Sequence, residues 1–360
     1  MQNYNAKIGQ IFIELTNACS FDCAFCPNDK MTRKKGFMDP KLAKKLIDEI
    51  SEKKISNQIA FFLMGEPLLY PHLFEILSYA VDKGLKVTLS TNGNLLTDET
   101  IVKLLEIPMD ILQISLQTPT KESFKIRRAS ARFTFEGYIS HIKDLLKRKL
   151  KTGGPTKLSI LIMDTRPNIT QLLLNGRNTL NLNIDHKKAK ELINDFIETC
   201  GSKPKKDNLL TSVSSNTKRL ISGNYRICLP GNIELNFGSL HNWGDVMTGA
   251  KVYPALFGSC NALVEQFAVL WNGDYSLCCK DYNGDLIIGN ANQESLTEIL
   301  NSKKVKSIRN AFRNCRLPFS RCKLCRGGTN LPELVLKQIF TSVAYNVPFV
   351  FRILKKMVLK

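Results

Sequence analysis

The sequence predicts an α/β fold in which helices cover a mainly parallel sheet of the barrel type. Three observations support this prediction. Short apolar runs alternate with amphipathic helices along the first two-thirds of the 360 residues, which is the pattern of right-handed β-α-β units. Polar motifs recur just after the predicted strands, where barrel-type proteins place their active sites. The composition, 43% hydrophobic and 23% charged, is that of a globular protein and not of a disordered one.

The predicted elements follow the chain in order. A strand at 11–15 leads into a cysteine-containing loop, and Asp39-Pro40 then opens an amphipathic helix that runs to about residue 53. Further strands are predicted at 58–64, 86–91, 110–115, 157–163 and 233–237. Further helices are predicted at 71–82, 97–105, 135–149 and 185–200. From about residue 253, glycine turns, short strands and six of the eleven cysteines replace this pattern. We therefore predict domains at 1–250 and 251–330, followed by a basic, apolar helical tail at 331–360.

Three cysteines follow the first predicted strand at the spacing CxxxCxxC. They are Cys19, Cys23 and Cys26, with Phe25 directly before the third. A loop can turn three thiolates toward one centre, whereas side chains on a strand alternate between its faces. Three ligands are too few for a structural zinc ion but suit a cubane iron–sulfur cluster with one open iron. No apolar signal segment opens the chain, so we expect a reducing, cytoplasmic setting in which clustered cysteines bind metal.

The formal net charge of +19 favours anionic partners. Nucleotides, phosphorylated sugars, nucleic acid and lipid headgroups all carry the matching charge. The sequence contains no tight Lys/Arg block with interleaved aromatic residues, which argues against nucleic-acid binding. We therefore expect a small-molecule substrate and leave its charge open, because a Lys-rich composition spread over solvated faces explains the net charge equally well.

Further motifs end the following strands: Gly65-Glu66-Pro67 the second, Thr91-Asn92-Gly93 the third and Ser115 the fourth. Together with CxxxCxxC they make the first two-thirds of the chain resemble the radical S-adenosylmethionine (SAM) superfamily. The resemblance implies a partial (β/α)6 barrel whose open iron binds the amino and carboxylate groups of SAM. It also implies one-electron cleavage of SAM to a 5′-deoxyadenosyl radical, which abstracts a hydrogen atom from the substrate.

The resemblance also implies roles for individual residues. Gly65 lets the backbone approach closely, and Glu66, within the motif completed by Pro67, helps to hold the methionine ammonium group. Asn92 and Ser115 contact the methionine and ribose portions, and Phe25 lies near the adenine. Arg127 or Arg128 binds the SAM carboxylate through a two-armed fork. The glycine-containing adenine motif that many members carry near the fifth strand is not evident at 158–163.

The later cysteines resemble the twitch domain, a shortened form of the SPASM extension of radical SAM enzymes. The resemblance implies that Cys260, Cys278, Cys322 and Cys325 hold one auxiliary 4Fe–4S cluster. Four thiolates would also accept zinc, but the motifs upstream favour iron–sulfur. Cys279 and Cys315 are left over, and either could replace an assigned ligand. Cys279 could also donate a hydrogen atom to a substrate radical, although a small buried side chain is the simpler interpretation of it.

We therefore expect a radical SAM enzyme that oxidises or epimerises a polar small molecule such as a sugar, an aminoglycoside or a nucleotide-linked saccharide. Its cofactors would be SAM and two 4Fe–4S clusters, and reduced ferredoxin or flavodoxin would supply electrons. One alternative is a peptide- or protein-modifying maturase, which the early first strand disfavours because it leaves no room for a preceding leader-binding domain. Another is a non-catalytic iron–sulfur or zinc protein that carries electrons or binds nucleic acid.

Two further predictions concern later segments. His241, Asn242 and Trp243 follow the sixth predicted strand and are candidates to line the site. The tail at 331–360 is expected to pack on the rest of the protein, and the alternative is an interfacial helix in peripheral contact with anionic lipid.

Overall fold

The computed structural model describes residues 7–130, 133–165, 184–203, 225–238 and 252–346. Within these ranges ten strands form one sheet in the order β10-β9-β8-β1-β2-β3-β4-β5-β7-β6. The strands are β1 (Gln10–Ile13), β2 (Gln58–Phe61), β3 (Lys86–Thr91), β4 (Ile111–Gln117), β5 (Lys157–Met163), β6 (Tyr225–Leu229), β7 (Ile233–Gly238), β8 (Gln266–Val269), β9 (Asp274–Ser276) and β10 (Ile287–Asn290).

Helices connect most of these strands. They are α1 (Pro40–Glu52), α2 (Leu73–Asp82), α3 (Asp98–Glu106), α4 (Lys121–Phe124), α5 (Phe135–Thr152), α6 (His186–Thr199), α7 (Leu296–Asn301), α8 (Lys303–Arg313), α9 (Ser320–Cys325) and α10 (Leu331–Asn346). Short 3-10 helices occupy Pro27–Lys30, Pro67–Leu69 and Lys125–Arg127. The α1 boundary follows the sequence signal, because Asp39 accepts a hydrogen bond from the Lys41 backbone N–H and Pro40 begins the helix.

The centre of the sheet is parallel, as predicted for an α/β fold. Strands β8, β1, β2, β3, β4, β5 and β7 pair in parallel with their neighbours. Strand β6 runs antiparallel to β7, and β9 and β10 extend the other side as antiparallel strands. The predicted α/β class is therefore confirmed, while closure into a partial barrel stays a prediction.

The strands after residue 252 extend the same sheet. Strand β8 pairs with β1 from Gln10↔Gln266 to Ile13↔Val269, which covers a β1 edge that would otherwise expose unpaired backbone groups. A division at about residue 250 stays a prediction, but the sheet itself is continuous from β1 into β8. His241, Asn242, Trp243 and residues 347–360 lie outside the described residues. Among the residues that are described, no helix is long and apolar enough to cross a membrane.

Alternation along the strands gives the sheet two different faces. One alternating set, such as Ile11, Leu89 and Leu112, is fully buried in the main hydrophobic core that also contains helix residues. The other set forms the opposite face, which we call the inner face. Its apolar part contains Phe12, Ala60 and Ala268. Its remaining part, on β3, β4, β5 and β7, contains polar side chains such as Gln113 and Asn236. At the carboxyl ends of β3 and β5, Asn92 and Met163 lie against the cysteine loop.

Candidate functional site

Cys19, Cys23 and Cys26 lie on the loop between β1 and α1. Cys23 is 8% exposed, and the other two are partly buried. Burial raises the pKa of all three thiols, that of Cys26 to about 12. Cys23 raises the pKa of Cys19 further, and Cys19 and Cys23 both raise that of Cys26. The structure therefore brings the three sulfur atoms near one another in a poorly solvated place. Three such thiolates need a cationic centre to stabilise them, and an iron–sulfur cluster supplies one.

The Gly65-Glu66-Pro67 motif packs directly against the cysteine loop. Gly65 has φ +81°, and a Cβ atom added there would lie 2.5 Å from the Thr16 carbonyl oxygen and 2.7 Å from that of Ala18. The Glu66 backbone N–H also donates to the Ala18 oxygen at 2.7 Å. Glycine is required here both for the left-handed backbone and for the close approach of the two chain segments.

Glu66 connects this motif to the end of β3. Its side chain is buried, and its two carboxylate oxygens accept hydrogen bonds from the Thr91 hydroxyl and the Asn92 backbone N–H, each at 2.6 Å. Burial raises the pKa of Glu66, and these two donors, with the Leu68 N–H, oppose the rise. The carboxylate is therefore held in a fixed place beside the cysteine loop.

Asn92 directly follows β3, whereas β4 continues for two residues past Ser115, which was predicted to end it. Asn92 Nδ2 donates to Ser20 Oγ at 3.2 Å and lies 3.7 Å from Cys19 Sγ. Ser115 Oγ accepts a hydrogen bond from Gln117 Nε2 at 3.1 Å. Phe25 packs with Met163 and Ile184, beside the end of β5. The structure thus brings Asn92 and Glu66 to the cysteine loop and puts Phe25 at the fifth strand.

Arg127 lies buried beside the carboxyl end of β4. Its side chain is only 2% exposed, and its Nη1 donates to the carbonyl oxygens of Ser115 and Leu116 at 2.6 and 2.7 Å. The guanidinium charge also opposes the rise in the pKa of the Cys23 thiol that burial causes. The two carbonyl contacts occupy Nη1, whereas Nε has no hydrogen-bond partner among the described residues, so the binding of a SAM carboxylate by Arg127 stays a prediction. Arg128 is exposed and pairs with Asp22 at 3.5 Å.

Cys260, Cys278, Cys322 and Cys325 line one cavity, together with Lys280, Arg321 and Arg326. Burial raises the pKa of Cys278 and that of Cys322, the latter to about 12, and each is raised further by the neighbouring cysteines. Four thiols around a cavity match a cluster that takes one thiolate at each corner. No three His, Cys, Asp or Glu side chains within the described ranges lie close enough together to share a single metal ion.

Cys279 and Cys315 do not line this cavity. The Cys279 thiol donates to Gln266 Oε1 at 2.7 Å and packs against the apolar part of the inner face. Burial raises its pKa to about 11, so the thiol keeps its hydrogen at neutral pH. Cys315 has φ +54°, and its carbonyl oxygen accepts a hydrogen bond from the Gly258 N–H.

Residues 31–37 connect the two cysteine-rich sites, and we call them the bridging segment. Arg33 forms an ion pair with the buried Glu14 and donates from Nε to the Tyr282 carbonyl oxygen at 2.9 Å. Thr32 donates from its N–H and its hydroxyl to Asn283 Oδ1 at 2.8 and 3.0 Å. Sequence reasoning missed Glu14 and Arg33, although a glutamate next to an apolar run signals a carboxylate that needs a partner.

A row of polar side chains crosses the inner face on β3, β4, β5 and β7. Gln113 Nε2 donates to Ser90 Oγ at 3.0 Å, and Asn236 Nδ2 donates to Ser159 Oγ at 2.8 Å. Gln113 is also the register partner of Ser159, which makes the row continuous. Within the described part of the chain, the amide oxygens of Gln113 and Asn236 accept no hydrogen bond. The row therefore offers both hydroxyl groups and open amide acceptors.

Comparisons with known proteins agree with this arrangement of two sites. The family model described as the radical SAM superfamily matches residues 13–170. The SPASM model, described as an iron–sulfur cluster-binding domain, matches residues 260–327. The first match contains Cys19, Cys23 and Cys26, and the second contains the four cysteines of the cavity.

Individual relatives are more distant. A Pyrococcus furiosus protein described as a tungsten-containing aldehyde ferredoxin oxidoreductase cofactor-modifying protein is 27% identical over 186 residues, 51% of each chain. The S-adenosyl-L-methionine-dependent 2-deoxy-scyllo-inosamine dehydrogenase of Niallia circulans is 29% identical over 118 residues, 32% of this chain and 47% of its own. The matches thus span about half the length of these curated relatives.

Solved structures share the fold over most of the chain. The crystal structure of BtrN in complex with AdoMet and 2-DOIA superimposes with a TM-score of 0.51 and 17% identity. The match covers 88% of this chain and 92% of that one.

Proposed function

Because this chain belongs to the radical SAM superfamily and carries a C-terminal SPASM domain, we propose that it oxidises a hydroxylated small molecule by hydrogen abstraction. Its cofactors are 4Fe–4S clusters and SAM. The substrate class proposed is a sugar, an aminoglycoside or a nucleotide-linked saccharide. Electrons would come from reduced ferredoxin or flavodoxin in a cytoplasmic setting.

The observation that carries this proposal is the polar row on the inner face. Ser90, Gln113, Ser159 and Asn236 offer hydroxyl groups and amides, which donate to and accept from the hydroxyl groups of a polyol. The apolar part of the same face suits the less polar C–H side of a sugar ring. The rings of Phe12 and Phe62 meet there edge to face, with their centroids 5.3 Å apart. The similarity to an inosamine dehydrogenase and to BtrN supports the same class.

We propose the following roles for the site residues. Cys19, Cys23 and Cys26 ligate the SAM-binding cluster, and Cys260, Cys278, Cys322 and Cys325 ligate the auxiliary cluster. Glu66, held by Thr91 and the Asn92 N–H, orients the strand end at which the methionine part of SAM binds. Asn92 and Ser115 contact SAM directly, and Gly65 keeps this turn close to the cysteine loop.

When bound, the cofactors supply reductive cleavage of SAM to methionine and a 5′-deoxyadenosyl radical at one site, and an electron acceptor at the other. Oxidation of a substrate CH–OH group to a carbonyl group then transfers one hydrogen atom to the 5′-deoxyadenosyl radical, one electron to the acceptor and one proton to solvent. The protein residues hold the hydroxyl group, keep water from the apolar part of the face and orient the C–H bond.

Epimerisation is the second candidate, and the placement of Cys279 favours it. Its neutral thiol adjoins the inner face and is oriented by the hydrogen bond to Gln266. Return of a hydrogen atom from this thiol to the substrate radical would invert the carbon without net oxidation. The thiyl radical left behind would then need an electron and a proton before the next turnover.

The test uses anaerobically reconstituted protein with SAM and dithionite. We expect 5′-deoxyadenosine to form, and a panel of deuterated sugars, aminocyclitols and nucleotide sugars to include a compound that transfers deuterium into it. A carbonyl product equal in amount to 5′-deoxyadenosine supports oxidation. Deuterium transfer from peptides alone would support the maturase alternative, and no 5′-deoxyadenosine at all would contradict the enzyme assignment.

A further inference from the structure

Arg127 is a fully buried cation beside the first cysteine motif. Only 2% of it is exposed, and its guanidinium carbon lies 4.6 Å from the centroid of the Phe21 ring. Its Nη1 holds the Ser115 and Leu116 carbonyl oxygens at the end of β4. Its Nε has no hydrogen-bond partner among the described residues. A buried arginine N–H without a partner is costly unless a further acceptor is present.

The backbone at Ile126 and Arg127 accepts hydrogen bonds from the cysteine motif on both sides of Cys23. The Asp22 N–H donates to the Arg127 carbonyl oxygen at 3.2 Å, and the Ala24 N–H donates to the Ile126 oxygen at 2.8 Å. Cys23 lies between these two bonds, and the nearby guanidinium charge opposes the rise in the pKa of its thiol that burial causes. The main chain at Ile126 and Arg127 therefore fixes the position of this buried cation relative to Cys23.

A positive charge fixed beside a cluster ligand stabilises the reduced state of the cluster more than the oxidised state. Reduction adds one negative charge to the cluster, and hydrogen bonds to its sulfur atoms and nearby charges set its potential. In a poorly solvated interior this effect is stronger than at the surface. Arg128, the next residue, provides a natural comparison, because it is exposed and paired with Asp22.

We propose that Arg127 is a positioning residue whose buried charge beside Cys23 raises the reduction potential of the SAM-binding cluster. The proposal rests on ligation of that cluster by Cys23, as proposed above. A residue that only joined β4 to the cysteine loop would affect folding and cluster content but not the potential of the assembled cluster.

The experiment is a redox titration of holoenzyme followed by electron paramagnetic resonance, with the SAM-binding cluster identified by its spectral change on addition of SAM. In Arg127→Met we expect a midpoint potential more negative than in the wild type. In Arg127→Lys, which retains the charge, we expect a smaller shift. Arg128→Met should match the wild type. An Arg127→Met protein with full iron content and an unchanged potential would overturn the proposal.

A second measurement applies if Arg127→Met does not assemble. In wild-type holoenzyme labelled with ¹⁵N-arginine, pulsed paramagnetic resonance of the SAM-binding cluster should detect a ¹⁵N coupling that Arg127→Lys lacks. Absence of the coupling in the wild type would overturn the proposal. Failure of the proposed ligation is a separate result, because an unchanged iron content in Cys23→Ala would show that Cys23 does not ligate the cluster.

Discussion

Arg33 and Glu14 form a two-armed ion pair, with nitrogen–oxygen distances of 2.8 and 2.9 Å. Glu14 is completely buried, and the Arg33 side chain is 12% exposed. Arg33 follows the CxxxCxxC motif and also donates to the carbonyl oxygen of Tyr282, four residues after Cys278. The pair therefore fixes the loop of the first cysteine site against the loop that follows Cys278 in the second.

Replacement of Arg33 should destabilise the protein strongly. Arg33→Ala leaves the Glu14 carboxylate buried without its partner, which costs about 3–5 kcal/mol. We expect a large fall in the urea midpoint for loss of far-ultraviolet circular dichroism in anaerobic holoenzyme.

The matched control for that prediction is Arg128→Ala, which removes an exposed pair with Asp22 at 3.5 Å. Such pairs contribute about 0–1 kcal/mol. Equal midpoints for Arg33→Ala and Arg128→Ala would show that the buried pair does not hold the two loops together.

Gly65→Ala should disrupt the first site. The added methyl group would lie 2.5 and 2.7 Å from the Thr16 and Ala18 carbonyl oxygens, and the alanine backbone would have to adopt φ +81°. We expect loss of about four irons per chain, since the cysteine loop can no longer pack on this turn.

Gly84→Ala is the control, because its φ is +75° but no atom lies within 4 Å. It should cost about 1–2 kcal/mol of stability and retain all iron, and parallel iron loss in both variants would contradict this explanation.

Substitutions in the polar row should impair recognition of the substrate without impairing SAM cleavage. Gln113→Leu and Asn236→Leu remove the open amide acceptors from the inner face. For a substrate found by deuterium transfer, we expect kcat/KM to fall by roughly tenfold to a hundredfold. Substrate-independent formation of 5′-deoxyadenosine should persist, and Gln293→Leu, in an exposed turn, should leave both rates unchanged. Normal turnover in both inner-face variants would remove the row from the substrate site.

Cys279→Ala distinguishes the two proposed reactions. If the product is a carbonyl compound, loss of this thiol should leave the product yield per 5′-deoxyadenosine unchanged. If the product is an epimer, the variant should form 5′-deoxyadenosine but no inverted product, because the thiol is the hydrogen donor. Mass spectrometry of the product from reactions in deuterated water makes the measurement. An epimer formed normally by Cys279→Ala would exclude the donor role.

Local patterns predicted the elements but not their long-range pairing. Alternating apolar runs and helix boundaries such as Asp39-Pro40 are encoded in neighbouring residues. The β2 prediction extended to residue 64, whereas the strand ends at Phe61 before the chain turns toward Gly65. The pairing of β8 with β1 joins segments more than 250 residues apart. Strand β6 was missed although Tyr225, Ile227 and Leu229 alternate with the exposed Arg226 and Cys228.

Motif spacing likewise indicated the chemistry of the site but not the burial of its charges. The cysteine motifs and Glu66 could be identified from sequence because the residue types and their order are specific. Sequence does not reveal that Arg127 is buried or that its Nη1 donates to backbone carbonyl oxygens. Glu14 signals a need for a cation, but its partner Arg33 is chosen by the fold.

The most direct test of the account is the content of iron, acid-labile sulfide and zinc in anaerobically purified protein. We expect about eight irons per chain in the wild type and in Cys315→Ala, since two 4Fe–4S clusters are proposed. Cys19→Ala/Cys23→Ala/Cys26→Ala and Cys260→Ala/Cys278→Ala should each retain about four irons. About four irons in the wild type, with zinc lost from Cys260→Ala/Cys278→Ala, would contradict the two-cluster account and remove the electron acceptor on which the proposed oxidation depends.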